Sequence, residues 1–423
     1  MTKKNTSVFK MITTMAFAMI LTLSLALPSY ASNLITWEDE NFGTPNKSAE
    51  AGLTKILVMP VETIFPATIS FDFSFTPKSF NGDESDKNMP VIGTGGVVTV
   101  TFTSADDPTA VNGAKTAIKE SGDLLGNLNW TRPGVYVYTV TETTTSKVTV
   151  DPLTGVKEEL TVSPAVYDLY VYVKEGVNSN NQTVFYVYLV GALTITTDEG
   201  DPGGEKVDPT PGTQNSKGEY SQMIFTNYFL RTNGTDPVDD AVLKISKTVA
   251  DGYGDKTKDF EFSVTVTNPV TVKDDTKTYN AQKMNAVGTV GGVIVFTTGI
   301  PKDVTLKHGE WLSFYDLPVG SSFEVTEKAT PDYTPSYLLT RSGGHAPVAV
   351  PGELGKALNI PPTYLTDNKG NPDSAAYTNT RDDLPITGIS VDNLPYLVMI
   401  ALVLFSLAGF VAIKARRGQR SAA

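Results

Sequence analysis

The 423-residue sequence has no cysteine, only two histidines and three tryptophans, and 19% charged residues. Each scarcity removes a class of function. Without thiols there is no disulfide framework, no thiolate nucleophile and no cysteine-ligated metal. His308 and His345 lie in separate turn-like contexts, so no histidine-based catalytic or metal constellation is expected. The Gly-x-Ser-x-Gly nucleophile elbow and the Gly-x-x-x-x-Gly-Lys phosphate cradle are missing too. The acidic pairs Asp239/Asp240 and Asp382/Asp383 read as solvated linker residues. The expectation is a protein that is not an enzyme and takes no metal or cofactor. Amphipathic helices longer than a few turns are also lacking, which removes helical bundles and α/β folds.

Long apolar runs are confined to the two ends. At the start, Lys3, Lys4 and Lys10 precede an apolar core that exits through Ser29-Tyr30-Ala31. This is the pattern of a secretory signal peptide, residues 1–31, with cleavage after Ala31. Near the other end, residues 394–413 form an apolar span of about 20 residues, roughly 30 Å as a helix and enough to cross a hydrocarbon core. The basic tail, residues 414–423 with "KARRGQR", places that end in the cytoplasm by the positive-inside rule. A chain trimmed to residues 32–387 keeps 27 basic against 45 acidic residues, a net charge of about −18. Such a surface repels nucleic acid and anionic lipid, so no nucleic-acid partner is expected.

Between the ends, β-branched and aromatic residues alternate with polar ones at period two, as in half-buried strands. Clear examples are "ATISFDFSFTP", "GVYVYTVTE" and "AVYDLYVYVKEG" in the first half, and "DFEFSVTVTNP" and "SSFEVTEK" in the second. Gly, Pro, Asn and Asp turns separate them, which predicts an all-β chain of two tandem immunoglobulin-like β-sandwiches. The polar segment 231–240 is the expected linker, between a first sandwich over 32–230 and a second over 241–381. The Gly/Pro/acid-rich stretch 196–222 is expected to be an exposed connection within the first.

The two blocks share an order of residue types. Each has a lysine in its first strand, a "VTE" near its middle and a "TN" in its last strand. These are Lys55, Glu142 and Asn227 in the first block, and Lys247, Glu327 and Asn379 in the second. A lysine buried among apolar groups loses its proton more easily and can attack as a neutral amine. A glutamate in the same surroundings gains affinity for a proton. It could hydrogen-bond the asparagine carboxamide oxygen, steady the tetrahedral intermediate and relay a proton to departing ammonia. Any domain of this size contains such residues, and strand lysines commonly snorkel to solvent. Their recurrence in one order in both blocks is what points to an isopeptide crosslink per domain, with Glu142 and Glu327 as its catalytic groups.

The second block resembles the collagen-adhesin B-type (CnaB-like) domain of Gram-positive surface proteins, in "LKISKTV", "VTLKHGEWLSFYDLPVGSSFEVTE" and "YTNT". The first resembles the streptococcal pilin isopeptide-linkage domain, in "WTRPGVYVYTVTE", "VYDLYVYV" and "FTNYF". In those families the strand lysine, the "TE" glutamate and the "TN" asparagine are the crosslinking residues, which implies the six positions above. Leu384-Pro385-Ile386-Thr387-Gly388 is similar to the sortase sorting signal, followed in order by an apolar span and a basic tail. That resemblance implies cleavage between Thr387 and Gly388 by a sortase transpeptidase. The implied function is a backbone pilin joined to other copies of itself or other pilins and finally to peptidoglycan, at the cell wall and surface, with host surface ligands as further partners. The alternative is a monomeric or basal wall-anchored adhesin. The acceptor lysine departs from the family pattern: Tyr220 stands where it is expected, leaving Lys217 as first choice and Lys206 as second.

Overall fold

In the computed structural model, residues 43–145, 147–150, 156–212, 220–234, 236–250, 252–367, 370–381 and 394–420 are described. The signal segment, the pentapeptide 384–388 and Lys217 lie outside them.

The first sandwich sets two sheets face to face. One comprises β1 (Thr54–Pro60), β4 (Ala114–Glu120), β6 (Lys147–Val150), β7 (Lys157–Thr161) and β11 (Ile224–Thr232), in the order β4-β1-β11-β7-β6. The other comprises β2 (Thr68–Phe80), β3 (Val97–Thr103), β5 (Gly134–Glu142), β8 (Val166–Val177), β9 (Thr183–Thr196) and β10 (Lys206–Val207), in the order β10-β9-β8-β5-β2-β3. Alternation drives this layering. In β5, Tyr136, Tyr138 and Val140 point inward and are fully buried. Rings from opposite sheets meet in the core: Phe225 of β11 lies 4.9 Å from Phe73 of β2 and 5.3 Å from Tyr167 of β8.

The second sandwich repeats the plan. Its larger sheet runs β15 (Gly288–Thr297), β14 (Thr278–Asn285), β17 (Trp311–Phe314), β12 (Leu243–Val249), β22 (Asp373–Thr380), β19 (Thr334–Thr340), β20 (Val348–Pro351). Its smaller sheet runs β16 (Lys302–Leu306), β13 (Phe260–Thr267), β18 (Ser322–Glu327), β21 (Leu358–Tyr364). Phe262 of β13 and Tyr377 of β22 pack across the interior at 5.2 Å.

In both sandwiches the first and last strands are parallel neighbours, β1 with β11 and β12 with β22. Parallel neighbours cannot be joined by a tight turn, so nearly the whole sandwich lies between them in sequence.

The sandwiches meet end to end. Arg231 donates to Glu158 of its own sandwich and to Asp367 of the other, both at 2.7 Å. Asp367 also accepts from the Ile64 N–H and the Asn233 amide. Glu62 binds Arg341 and His345. At this junction Gly320 has φ +77, and a Cβ there would stand 2.4 Å from Pro60, so only glycine allows the approach. Strand β11 reaches Thr232, two residues into the segment read from sequence as linker, because Arg231 is fixed from both sides. Arg231→Ala leaves the nearly buried Asp367 carboxylate without its cation, which should cost about 2 kcal/mol and speed protease cleavage within 233–240. A cleavage rate equal to wild type would show that the junction does not depend on this pair.

The stretch 196–222 is less open than its composition suggests. It contributes β10 as an edge strand, buries Thr210, is tied to the rest of the sandwich through Gly52 N–H to Pro209 O and Thr194 N–H to Glu205 O, and is closed on itself by Gln222 N–H to Asp208 O. The C-terminal helix α1 (Leu394–Arg420) continues past Ile413, since Lys, Ala, Arg and Gln are good helix formers. Its segment Tyr396–Lys414 has a mean hydropathy of 2.6 and is long and apolar enough to cross a membrane.

Candidate functional site

Each sandwich holds one lysine, one glutamate and one asparagine side chain in contact at its centre. In β1, Lys55 shares the inward face with Leu57 and Met59, and in β11 Asn227 shares it with Phe225 and Phe229. The register sets Lys55 opposite Phe225, which places Asn227 two residues further along the neighbouring strand. In the second sandwich Lys247 is opposite Tyr377 and Asn379 again lies two residues on. Two residues is one pleat repeat, so lysine and asparagine point the same way from adjacent strands. The glutamate comes from the opposing sheet, Glu142 at the end of β5 and Glu327 at the end of β18.

In the first site Lys55 Nζ donates to Glu142 Oε2 at 2.9 Å and Asn227 Nδ2 donates to Glu142 Oε1 at 2.6 Å. In the second, Lys247 Nζ and Asn379 Nδ2 both donate to Glu327 Oε1, at 2.7 and 2.6 Å. The lysine and glutamate side chains are at most 1% exposed. Burial pulls each lysine from its ordinary value down to about 8, although its glutamate partner works the other way. Burial likewise pushes both glutamates up, against the pull of lysine and asparagine. The two partners are thus drawn toward the neutral amine and the neutral acid.

Four phenylalanines make the sites dry. Lys55 Nζ lies 4.6 Å from the ring centre of Phe71 and 5.9 Å from that of Phe73; Lys247 Nζ lies 4.3 Å from Phe260 and 5.9 Å from Phe262. Sequence reasoning passed over them. The signal was there as a Phe-x-Phe on the strand after the lysine strand in each block, "FDF" at 71–73 and "FEF" at 260–262.

Two features depart from the sequence reading. The carboxamide turns its nitrogen, not its oxygen, toward the glutamate in both sites. An ionised carboxylate only accepts hydrogen bonds, so it selects the amide NH2. In addition, the sites differ around the amide oxygen. Asn227 Oδ1 accepts from the Ser163 N–H at 2.8 Å, whereas Asn379 Oδ1 and Glu327 Oε2 are buried without a hydrogen-bond partner among the described residues. Asp198 also lies beside the first site, held by Ser163 and Thr226, and was not singled out from sequence. Lys206 sits exposed in edge strand β10, opposite Leu193 and apart from both sites. Among the described residues, no group of three or more His, Asp or Glu could hold a metal ion.

Fold and site together define a tandem all-β protein in which one internal amine, carboxyl and carboxamide cluster is built twice, bridging terminal strands and opposed sheets. The chain is similar to the pilin of Streptococcus pyogenes serotype M1, 24% identical over 387 residues that cover 90% of this chain and 94% of that protein. It is also similar to the pilus tip adhesin Cpa of Streptococcus pyogenes, 30% identical over 151 residues, covering 36% of this chain and 18% of that protein. A domain of unknown function (DUF7601) matches residues 241–349. Among solved structures, the major pilin from Streptococcus pyogenes aligns over 79% of this chain and 99% of that one, at 20% identity and a TM-score of 0.32.

Proposed function

We propose that this chain is a structural pilin subunit of a Gram-positive cell surface, stabilised by one Lys-Asn isopeptide bond in each sandwich. The observation that carries the reading is the recurrence of one buried triad at one register offset in two sandwiches of different strand composition. Similarity that covers 94% of the pilin but 18% of the tip adhesin favours a shaft subunit over an adhesin.

The chemistry follows from the contacts. Glutamate takes a proton from the lysine ammonium, and the freed Nζ attacks the asparagine Cγ. The carboxyl then hands a proton to Nδ2, the atom it already faces, and the Cγ–Nδ2 bond breaks. The ammonium brings three protons and the carboxamide two. One stays on the new amide, three leave as ammonia, and the last passes from Nζ back to the glutamate carboxylate. Exclusion of water by the phenylalanines keeps the amine from being resolvated and the intermediate from hydrolysing.

The pH dependence has a defined sign. The reactive state, amine with carboxylic acid, is a proton-transfer isomer of ammonium with carboxylate, so its population is constant while the pair holds one shared proton. Below the raised glutamate pKa the pair gains a second proton and the nucleophile is lost. Above about 8, where the lysines deprotonate, the acid that serves the leaving nitrogen is gone. Full-length chain recovered unfolded and refolded across a pH series should crosslink at a plateau rate through neutrality and more slowly on either side. A rate that keeps climbing above pH 9 would show that the glutamate proton is not needed.

Proteolysis followed by tandem mass spectrometry tests the bonds directly. The expected products are branched peptides joining Lys55 to Asn227 and Lys247 to Asn379; recovery of only the linear peptides would refute the crosslinks.

A further inference from the structure

The two triads share lysine, glutamate, asparagine and the pair of phenylalanines, but among the described residues only the first has a partner for its amide oxygen. Ser163, in the turn between β7 and β8, is 5% exposed and aims its N–H at Asn227 Oδ1 from 2.8 Å. Attack at Cγ turns this oxygen into the oxyanion of the tetrahedral intermediate, so a donor already aimed at it stabilises charge where it develops.

The turn is held in place from outside. The Ser163 hydroxyl donates to Asp198 Oδ1 and accepts from the Ala165 N–H at 3.1 Å. Pro164 restricts Ser163 to extended backbone. The same Asp198 oxygen accepts from the Thr226 N–H at 2.9 Å, immediately before Asn227. One carboxylate oxygen from the loop after β9 therefore ties the oxyanion donor to the strand that carries the reacting carboxamide.

We propose that the Ser163 N–H is the oxyanion donor of the first crosslink and that Asp198 is its positioning residue, a device without a counterpart among the described residues of the second sandwich. This rests on the isopeptide reading above. Asp198 touches neither reacting atom and acts through hydrogen bonds to Ser163 and Thr226.

The test follows both bonds in one molecule. Full-length chain is recovered unfolded, refolded by dilution, quenched at intervals and digested, and the two branched peptides are quantified separately. Asp198→Ala should slow the Lys55–Asn227 bond at least about tenfold and leave the Lys247–Asn379 bond at its wild-type rate. Asp198→Asn keeps an oxygen acceptor for both donors and should restore most of the rate. Ser163→Ala keeps the N–H but cuts its tie to Asp198, so it should also slow the first bond, and the double variant should be no slower than Asp198→Ala alone. An unchanged first-site rate in Asp198→Ala, failure of Asp198→Asn to rescue, or multiplicative effects in the double variant would each overturn the proposal. If Asp198→Ala does not fold, as judged by loss of the second bond too, Ser163→Ala and Asp198→Asn still decide it. Wild-type chain that yields neither branched peptide would refute the isopeptide reading itself, a result distinct from all of these.

Discussion

The intact mass of the folded, mature protein should fall two molecules of ammonia below the mass its sequence encodes. Each condensation of a lysine amine with an asparagine carboxamide expels one, and nothing else in the sites changes the mass. Glu142→Ala and Glu327→Ala remove the proton shuttle from one site each, and each should restore the mass of a single ammonia. The stability effect is expected to be large. Residues 55 and 227, and residues 247 and 379, close loops spanning nearly a whole sandwich. In the chain-entropy treatment used for disulfides, loops of that length are worth about 5 kcal/mol each. For a domain of this size that corresponds to a fall of roughly 10–20 °C in the melting temperature of the affected sandwich. The glutamate variants also leave a buried lysine without its counter-charge, which adds to the loss. A wild-type mass equal to the encoded one would remove the crosslinks, and an unshifted melting temperature in a variant that has regained its ammonia would remove their structural role. Geometry adds a mechanical consequence. Because the paired strands are the first and last of each sandwich, a covalent tie between them would carry tension applied through the chain ends and keep the terminal strands from peeling away.

Much of this was written in the sequence, and the boundary of what was legible is physical. Strand alternation is a local property, so "GVYVYTVTE" announced both β5 and the inward face that carries Glu142. The order of lysine, glutamate and asparagine is also legible along the chain, and its recurrence points to the six residues that meet in the two clusters. Their convergence depends on β1 lying parallel to β11, and β12 to β22, with the asparagine one pleat repeat beyond the residue facing the lysine. That register is fixed by packing between segments far apart in the chain. Asp198 was invisible for the same reason. It sits in "TTDEGDPGG", whose composition reads as solvent-exposed turn, and only tertiary contacts with Ser163 and Thr226 reveal its place. The orientation of the carboxamides depends on which protonation state the carboxyl holds, which no residue pattern encodes. Arg231 opens a polar segment between two strand-rich blocks and so reads as linker; its two carboxylate partners come from the stretch of β7 and from the second sandwich.

Replacing the acceptor lysine should abolish polymer formation while leaving both internal bonds intact. We propose Lys217 as that acceptor, on the placement of the described residues that flank it. Pro60 and Arg231, at the far ends of β1 and β11, touch the second sandwich, so the opposite ends, Thr54 and Ile224, face away from it. At that outer pole Glu120 pairs with Thr54 and accepts from the N–H groups of Gly212 and Ser221, pinning both described flanks of the segment that contains Lys217. In the second sandwich, Asp373 bonds Val242 near the junction while β22 ends at Thr380 on the far side. Thr387 follows seven residues later, a reach of up to about 25 Å. Gly212 and Thr380, described residues that lead toward these two segments, therefore stand at opposite poles, as a head-to-tail filament would require. Lys206, by contrast, is held in the pairing of β10 with β9 on a sheet edge. Denaturing gels of cell-wall extract should show a ladder of multimers for wild type and a single band for Lys217→Ala. A ladder that persists in Lys217→Ala and vanishes in Lys206→Ala would move the joint to the edge strand and keep the pilin reading. A wild-type protein that runs as one band, unaffected by either substitution, would instead mark a singly anchored adhesin.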